Sequence, residues 1–171
     1  MKKNDYVSFK FQDQTLTGLI VKGGKTLTVR YARDGAVYQI KNVDTKYFTV
    51  VEAPSMDTST AMDGYSTSGF KDQGGEETMR FQCKLLKDGK HITDVSNGGY
   101  GGCNEYHSSL GSYEEIKQFH AAAKQWTVDH GVELCDAGDT WLDWYNVARL
   151  EFVTADDYLN DFKEMLSAHG L

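Results

Sequence analysis

Proline, cysteine and long apolar runs are all scarce in this sequence. One proline and three cysteines occur in 171 residues. Cys83, Cys103 and Cys135 stand far apart without a C-x-x-C pair, which argues against a disulfide framework and favours a reducing compartment. No stretch approaches the roughly 18 apolar residues of a membrane-spanning helix, and residues 1–6 precede no apolar run of a secretory signal. We therefore expect a cytoplasmic protein.

The charged residues divide unevenly along the chain. Residues 1–52 hold nine Lys or Arg and five Asp or Glu, a net charge of +4, whereas residues 53–171 hold nine and twenty, a net charge of −11. A basic segment attracts polyanions, and an acidic segment is repelled by them or imitates them. The imbalance predicts two parts with different binding properties.

Hydrophobic alternation predicts an α+β protein in three parts. Residues 1–52 contain five short alternating segments separated by turns, which favours a small five-stranded β-barrel. Residues 53–75 hold the proline and scattered apolar residues, and predict a linker. The alternative is an ordered arm that docks through four apolar residues, Met56, Met62, Tyr65 and Phe70. Residues 76–171 predict an α+β domain, an antiparallel sheet with two or three helices.

Local signals mark several elements of the third part. Ser112 begins an S-x-x-E pattern typical of a capping box at a helix N-terminus, and Thr154 predicts the cap of a later helix. Residues 132–135 and 149–153 indicate strands. Residues 141–147 are compatible with a helix or a strand.

Two stretches of the chain resemble known domains. Residues 6–9, 17–22, 25–31 and 38–40 resemble a KOW-type or Src-homology-3-like small barrel. Residues 84–90 and 95–102 are similar to an uncharacterised domain of small phage- or plasmid-encoded proteins. Because such barrels are common in nucleic-acid-associated proteins and in phage accessory proteins, the resemblance implies a mobile-element protein in a bacterial host cytoplasm.

Two groups of residues are candidates for macromolecular contacts. The candidate nucleic-acid contacts are Lys22, Lys25, Arg30 and Arg33, which stand among tyrosines in the basic part. Protein contact through the same barrel, or simple solubilisation of edge strands, is the alternative. The candidate partner contacts in the acidic part are Asp136, Asp139, Trp141, Asp143, Trp144 and Tyr145. Trp and Tyr are enriched at binding hot spots, but these rings could equally anchor a core.

The glycine-rich stretch 98–102 beside Cys103 is the sharpest local feature. Its backbone N–H groups could face an anion, and Cys103 could act as a nucleophile with His107 or His120 as its base. Because the flanks fit no known nucleophile motif, we interpret the stretch as a structural loop and Cys103 as non-catalytic. No zinc module matches the spacing of the possible ligands, Cys83, Cys103, His107 and Cys135. The sequence predicts no metal site and no cofactor.

Charge and resemblance together favour a non-enzymatic phage or mobile-element accessory protein. Its expected partner is a host protein or protein–nucleic-acid complex, with weak nucleic-acid contact through the barrel and no membrane contact. One alternative is an inhibitor of a bacterial defence nuclease, of the anti-restriction or anti-CRISPR type, whose acidic domain occupies a basic channel. This alternative requires carboxylates aligned on one face. The other alternative, a small cysteine-dependent enzyme, requires an accessible thiol.

Overall fold

The computed structural model describes residues 1–33, 36–52, 62, 64–74, 76–108, 112–151 and 153–170. Over these residues the chain is α+β, with two antiparallel sheets and three α-helices. The α+β prediction is therefore confirmed. The chain divides into two compact units, Met1–Met56 with Val147–Val153, and Asp57–Asn146 with Thr154–Leu171.

The first unit contains a five-stranded antiparallel sheet in the order β4-β3-β2-β1-β5. Its strands are β1 (Tyr6–Phe11), β2 (Gln14–Lys22), β3 (Thr26–Arg33), β4 (Ala36–Asp44) and β5 (Phe48–Val51). β4 and β5 are the two edges, and among the described residues no pairing joins them. The closed barrel predicted from the sequence therefore stays a prediction.

Period-two alternation explains the core of this sheet. Val7 and Phe9 of β1 and Leu27, Val29 and Tyr31 of β3 are buried in one cluster. Alternate residues of a strand face the same side of a sheet, so the two residues of β1 lie on one face of their strand, and so do the three residues of β3.

A short segment from much later in the chain belongs to the first unit. Ala148–Glu151 form a 3-10 turn that contacts β2 and β3. Ala148 and Leu150 are buried. The strand predicted over 149–153 is therefore wrong at 149–151, because a tight turn also buries alternate apolar residues. The sequence-based division had placed this segment within 76–171.

The second unit contains a four-stranded antiparallel sheet in the order β6-β7-β8-β9. Its strands are β6 (Tyr65–Asp72), β7 (Phe81–Lys87), β8 (Lys90–Asn97) and β9 (Glu105–His107). Asp88 and Gly89, both with positive φ, form the two-residue turn between β7 and β8. This is the hairpin geometry that an Asp-Gly pair favours.

β6 lies inside the segment expected to be a linker. Tyr65–Asp72 pairs with β7 through most of its length, so the linker prediction is wrong there. β6 has few apolar residues, so backbone hydrogen bonds to β7, rather than the burial of an apolar face, hold this strand in the sheet. Phe70 and Met62 are buried, and the Tyr65 ring lies 5.4 Å from that of Phe119. These are residues of the docking-arm alternative; Met56 lies outside the described residues.

Three helices complete the second unit, α1 (Tyr113–Asp129), α2 (Ala137–Asn146) and α3 (Ala155–Ala168). Phe119, Ala123 and Trp126 form the buried stripe of α1, as expected from the helical period. Residues 141–146 belong to α2, which settles the ambiguity of that stretch in favour of a helix. None of the described helices has the length and apolar character needed to cross a membrane.

The helix-start predictions had mixed outcomes. Thr154 caps α3, because its Oγ1 accepts a hydrogen bond from the Asp157 N–H at 3.1 Å. Ser112 stands at the N-cap of α1, but its side chain makes no capping hydrogen bond, so the predicted capping box is wrong. The strand predicted over 132–135 is also wrong, because these residues form the turn between α1 and α2.

Leu150→Ala should destabilise the first unit. The side chain is only 3% exposed, and removing a buried leucine side chain typically costs about 2–5 kcal/mol. Hydrogen exchange of the β2 and β3 amides should accelerate accordingly. Val50→Ala, at a position that is 52% exposed on β5, is the matched control. Equal effects of the two changes would show that the 147–153 segment does not support this sheet.

Candidate functional site

An acidic cleft of about 260 Å³ lies in the second unit. Asp136, Asp139 and Asp143 line one side, and Gly101–Asn104 of the glycine-rich loop line another. The three carboxylates are spaced i, i+3 and i+7 at and after the start of α2, so they share one helical face. The sequence had grouped these three residues, and the structure brings them together.

Asp139 joins α2 to the sheet and to the loop. Its Oδ2 accepts a hydrogen bond from the backbone N–H of Asn104 at 2.9 Å. Its Oδ1 accepts another from the hydroxyl of Tyr106 on β9, also at 2.9 Å. Burial and the Asp139 charge raise the pKa of Tyr106, so this hydroxyl keeps the proton that it donates. The carboxylate of Asp139 is thus held from two directions.

The glycine-rich loop is closed by internal hydrogen bonds. The Asn97 side chain donates to the carbonyl of Gly102 and to Oδ1 of Asn104, both at 2.9 Å. The N–H of Gly99 donates to Oδ1 of Asn97 at 2.8 Å. Gly101 has φ of +81°, and a Cβ there would collide with the Glu77 carboxylate. These contacts hold the loop in one conformation, and its interpretation as a purely structural loop stays a prediction.

Asp143 is the most perturbed acid of the cleft. Burial, together with the charges of Asp139 and Asp136, raises the pKa of Asp143 from 3.8 to about 7. Burial and the charges of Asp143 and Asp136 also raise the pKa of Tyr158 on α3. A carboxyl group that takes up a proton near neutral pH makes this cleft sensitive to pH.

Cys103 and its two possible bases, His107 and His120, contact different neighbours. Cys103 is exposed and lines the acidic cleft. His107 instead has its Nε2 2.7 Å from the Ser96 hydroxyl, and His120 lines a different cleft. The Oδ1 of Asn104 accepts a hydrogen bond from the side chain of Asn97. The interpretation of Cys103 as non-catalytic stays a prediction.

The aromatic members of the predicted partner-contact set lie mainly inside the second unit. Trp141 and Trp144 are buried, and Tyr145 is half-buried with its ring stacked 4.7 Å from that of Trp141. The Trp144 ring lies 5.2 Å from that of Trp126 in α1. The alternative that these rings anchor the core therefore fits their placement. The carboxylates of the set, Asp136, Asp139 and Asp143, line the acidic cleft.

The predicted nucleic-acid contacts do not form one patch in the first unit. Lys22 and Lys25 are exposed around the β2–β3 turn, and Arg30 is buried. Arg33 ends β3, so it lies roughly 25 Å from Lys25 at the usual rise of a strand. Hydrophobic alternation in the sequence predicted the strands that carry these residues. The net charge of the segment, however, could not show that the length of β3 separates Lys25 from Arg33.

Arg33 instead belongs to an aromatic–arginine cluster of four residues, Phe11, Tyr31, Arg33 and Tyr38. Its guanidinium carbon lies 5.3 Å from the ring centroids of both Phe11 and Tyr38. The rings of Tyr31 and Tyr38, a register pair of β3 and β4, stack at 5.5 Å. The sequence indicated basic residues among tyrosines but not the contribution of Phe11, whose ring centroid lies 6.4 Å from that of Tyr31.

No group of three or more His, Cys, Asp or Glu within the described ranges is placed to hold a metal ion. Searches against protein-family models, curated proteins and solved structures found no match to this chain. Function is therefore inferred from the geometry of the chain itself.

Asp143→Asn should change how stability depends on pH. A buried acid whose pKa rises to about 7 in the folded state stabilises the fold while protonated. Wild-type stability should therefore fall from about pH 4 to about pH 7, by up to about 4 kcal/mol relative to the variant. Urea denaturation at several pH values measures this difference. The exposed Asp161→Asn is the control, and parallel profiles for wild type and Asp143→Asn would contradict the assignment.

Proposed function

We propose that the protein is a binding protein of a phage or mobile element that contacts a host macromolecule through the aromatic–arginine cluster. The observation that carries this proposal is the contact of the Arg33 guanidinium with the rings of both Phe11 and Tyr38, with Tyr38 38% exposed. The resemblance of this part of the sequence to small barrels of phage accessory proteins supports it.

The cluster has the physical properties of a preformed contact. Cation–π contacts restrict the guanidinium before any partner arrives, so less side-chain entropy is lost on binding. Tyr rings present a large contact area with few rotatable bonds. Such residues dominate the energetics of many interfaces. The cluster therefore suits a small, stable anchor point.

The charge of the first unit indicates which partners the cluster favours. The unit carries +4, since Arg149 and Glu151 of its late segment cancel. A guanidinium presents its donors in a planar fork that matches carboxylate or phosphate oxygens. An acidic surface of a host protein or protein–nucleic-acid complex meets both conditions.

Capture of the partner from host lysate, with and without nuclease treatment, tests this proposal. Arg33→Gln and Tyr38→Ala should each weaken capture by about tenfold or more, because hot-spot truncations cost about 2 kcal/mol. Tyr100→Ala, at a position 71% exposed in the second unit, is the matched control. If capture is unchanged in both cluster variants but lost in the control, the contact surface lies in the second unit.

The inhibitor of a defence nuclease is the second candidate, and a row of acids on α3 favours it. Asp157, Asp161 and Glu164 are exposed and spaced i, i+4 and i+7. They are thus separated by roughly 6 Å and 4.5 Å along the helix axis, against about 3.4 Å per phosphate on a DNA strand. The mean separation, about 5 Å per charge, is wider than that of a single DNA strand but of the same order. The second unit as a whole carries −11.

Neutralising the α3 row tests this second candidate. The triple change Asp157→Asn, Asp161→Asn and Glu164→Gln should slow association with a basic nuclease by roughly tenfold at low salt, with little effect on dissociation. The control removes equal charge elsewhere, by Glu105→Gln, Glu114→Gln and Glu115→Gln. Equal slowing by both triples would mean that net charge matters and the row does not.

A further inference from the structure

Over the described residues the two sheets end in four edge strands, and three of these carry features that discourage pairing with another chain. β4 carries Lys41 and a bulge around Asn42, whose φ is +58°. β6 carries Lys71 and a bulge at Gly69, whose φ is +63°. β9 has only three residues and begins with the exposed Glu105. Charges, bulges and short length are the usual protections of an edge strand.

β5, the remaining edge strand, has neither a charge nor a bulge. Its four residues, Phe48–Val51, are all uncharged and pair with β1 in unbroken register. Thr49 is exposed, and Val50 is 52% exposed. Within the described ranges β5 pairs only with β1, so the backbone N–H and C=O groups along its other side face no strand. Such groups are a template for one further strand.

The charges that flank β5 are complementary to each other about Thr49. Lys46 stands three residues before Thr49 and Glu52 stands three residues after it, and both are exposed. When two antiparallel copies of a strand are related by a two-fold axis, residues equally far from the axis on its two sides lie opposite each other. An axis at Thr49 therefore brings Lys46 of each copy towards Glu52 of the other. The same axis places Val50 of each copy opposite Phe48 of the other.

We propose that β5 is an interface at which a second copy of this chain adds its own β5 in antiparallel register, about a two-fold axis at Thr49. The five-stranded sheets of the two copies then form one continuous sheet. The contact between Lys46 and Glu52 occurs twice, once at each end of the pairing. Asp44, whose Oδ2 lies 3.6 Å from the Lys46 Nζ, shares that positive charge. Because the axis uses the same edge of both copies, the assembly ends at two chains.

The size of this edge sets the strength of the association. Four residues offer only a few backbone hydrogen bonds and bury much less surface than a standard interface, so the dimer is a weak one. Tyr47, 62% exposed and with its ring centroid 5.0 Å from the Lys46 Nζ, adds apolar contact area beside the strand. We expect a dissociation constant on the order of 100 µM. The interface shares no residue with the aromatic–arginine cluster, so the two proposals are independent.

Sedimentation equilibrium of the full chain, at protein concentrations from about 10 µM to about 1 mM, tests the proposal. A reducing agent excludes disulfide-linked dimers of the exposed Cys103 and Cys135. The wild-type chain should show a reversible monomer–dimer equilibrium. Val50→Lys should weaken it by about tenfold or more, because one charge from each copy then lies within the pairing. Gln39→Lys, which adds the same charge at an exposed position of β4, is the matched control and should leave the equilibrium unchanged.

Exchange of the flanking charges tests the register of the pairing. Lys46→Glu and Glu52→Lys should each weaken the dimer by about threefold to tenfold, because like charges then meet at both ends. The double variant should recover the wild-type constant. Both side chains are exposed, so this arm decides the question even if Val50→Lys impairs folding.

Three results would overturn the proposal. The first is a wild-type chain that stays monomeric at about 1 mM. The second is equal weakening by Val50→Lys and Gln39→Lys, which would place the contact elsewhere or reduce it to net charge. The third is a double variant that associates no more tightly than the single variants, which would exclude this two-fold register.

Discussion

The carboxylate of Asp139 is the constraint on which the acidic cleft of the second unit depends. Its two hydrogen bonds tie α2 to the glycine-rich loop and to β9. The same charge helps to raise the pKa of Asp143 on one side and acts on His120 on the other. Removing it would leave the Asn104 N–H and the Tyr106 hydroxyl without this acceptor, which is costly for buried groups.

Local signals in the sequence predict much of the fold but little of its long-range pairing. The Asp88-Gly89 turn, the Thr154 cap and the strands of the first sheet follow from short patterns. β6 does not, because a polar strand is held by its ladder to β7. The 3-10 turn at 148–151 does not, because its partners β2 and β3 lie more than a hundred residues earlier. Loop closure over such distances leaves no local trace.

The candidate sites show the same limit: the sequence indicates which residues are near one another along the chain, but not which of them are buried or in contact. Closeness in sequence grouped Asp136, Asp139 and Asp143, which line one cleft, but it could not show that the neighbouring Trp141 and Trp144 are buried. Charge grouped Arg33 with Lys25, but the length of β3 separates the two residues. The His120–Gly138 contact was invisible, because a glycine in a helical pattern has many causes and only the packed structure shows which one applies.

The opposite net charges of the two units affect a partner only through the charged side chains that lie close to it. The sequence asymmetry survives the division into units, because the segment 147–153 adds one basic and one acidic residue to the first unit. At physiological ionic strength, however, exposed charges separated by more than about 8 Å are largely screened. A net charge of −11 therefore matters to a partner only where acids stand within that distance, as on α3. The same reasoning favours the single positioned guanidinium of Arg33 over the dispersed lysines of its unit, since binding depends on the charge a partner meets at contact.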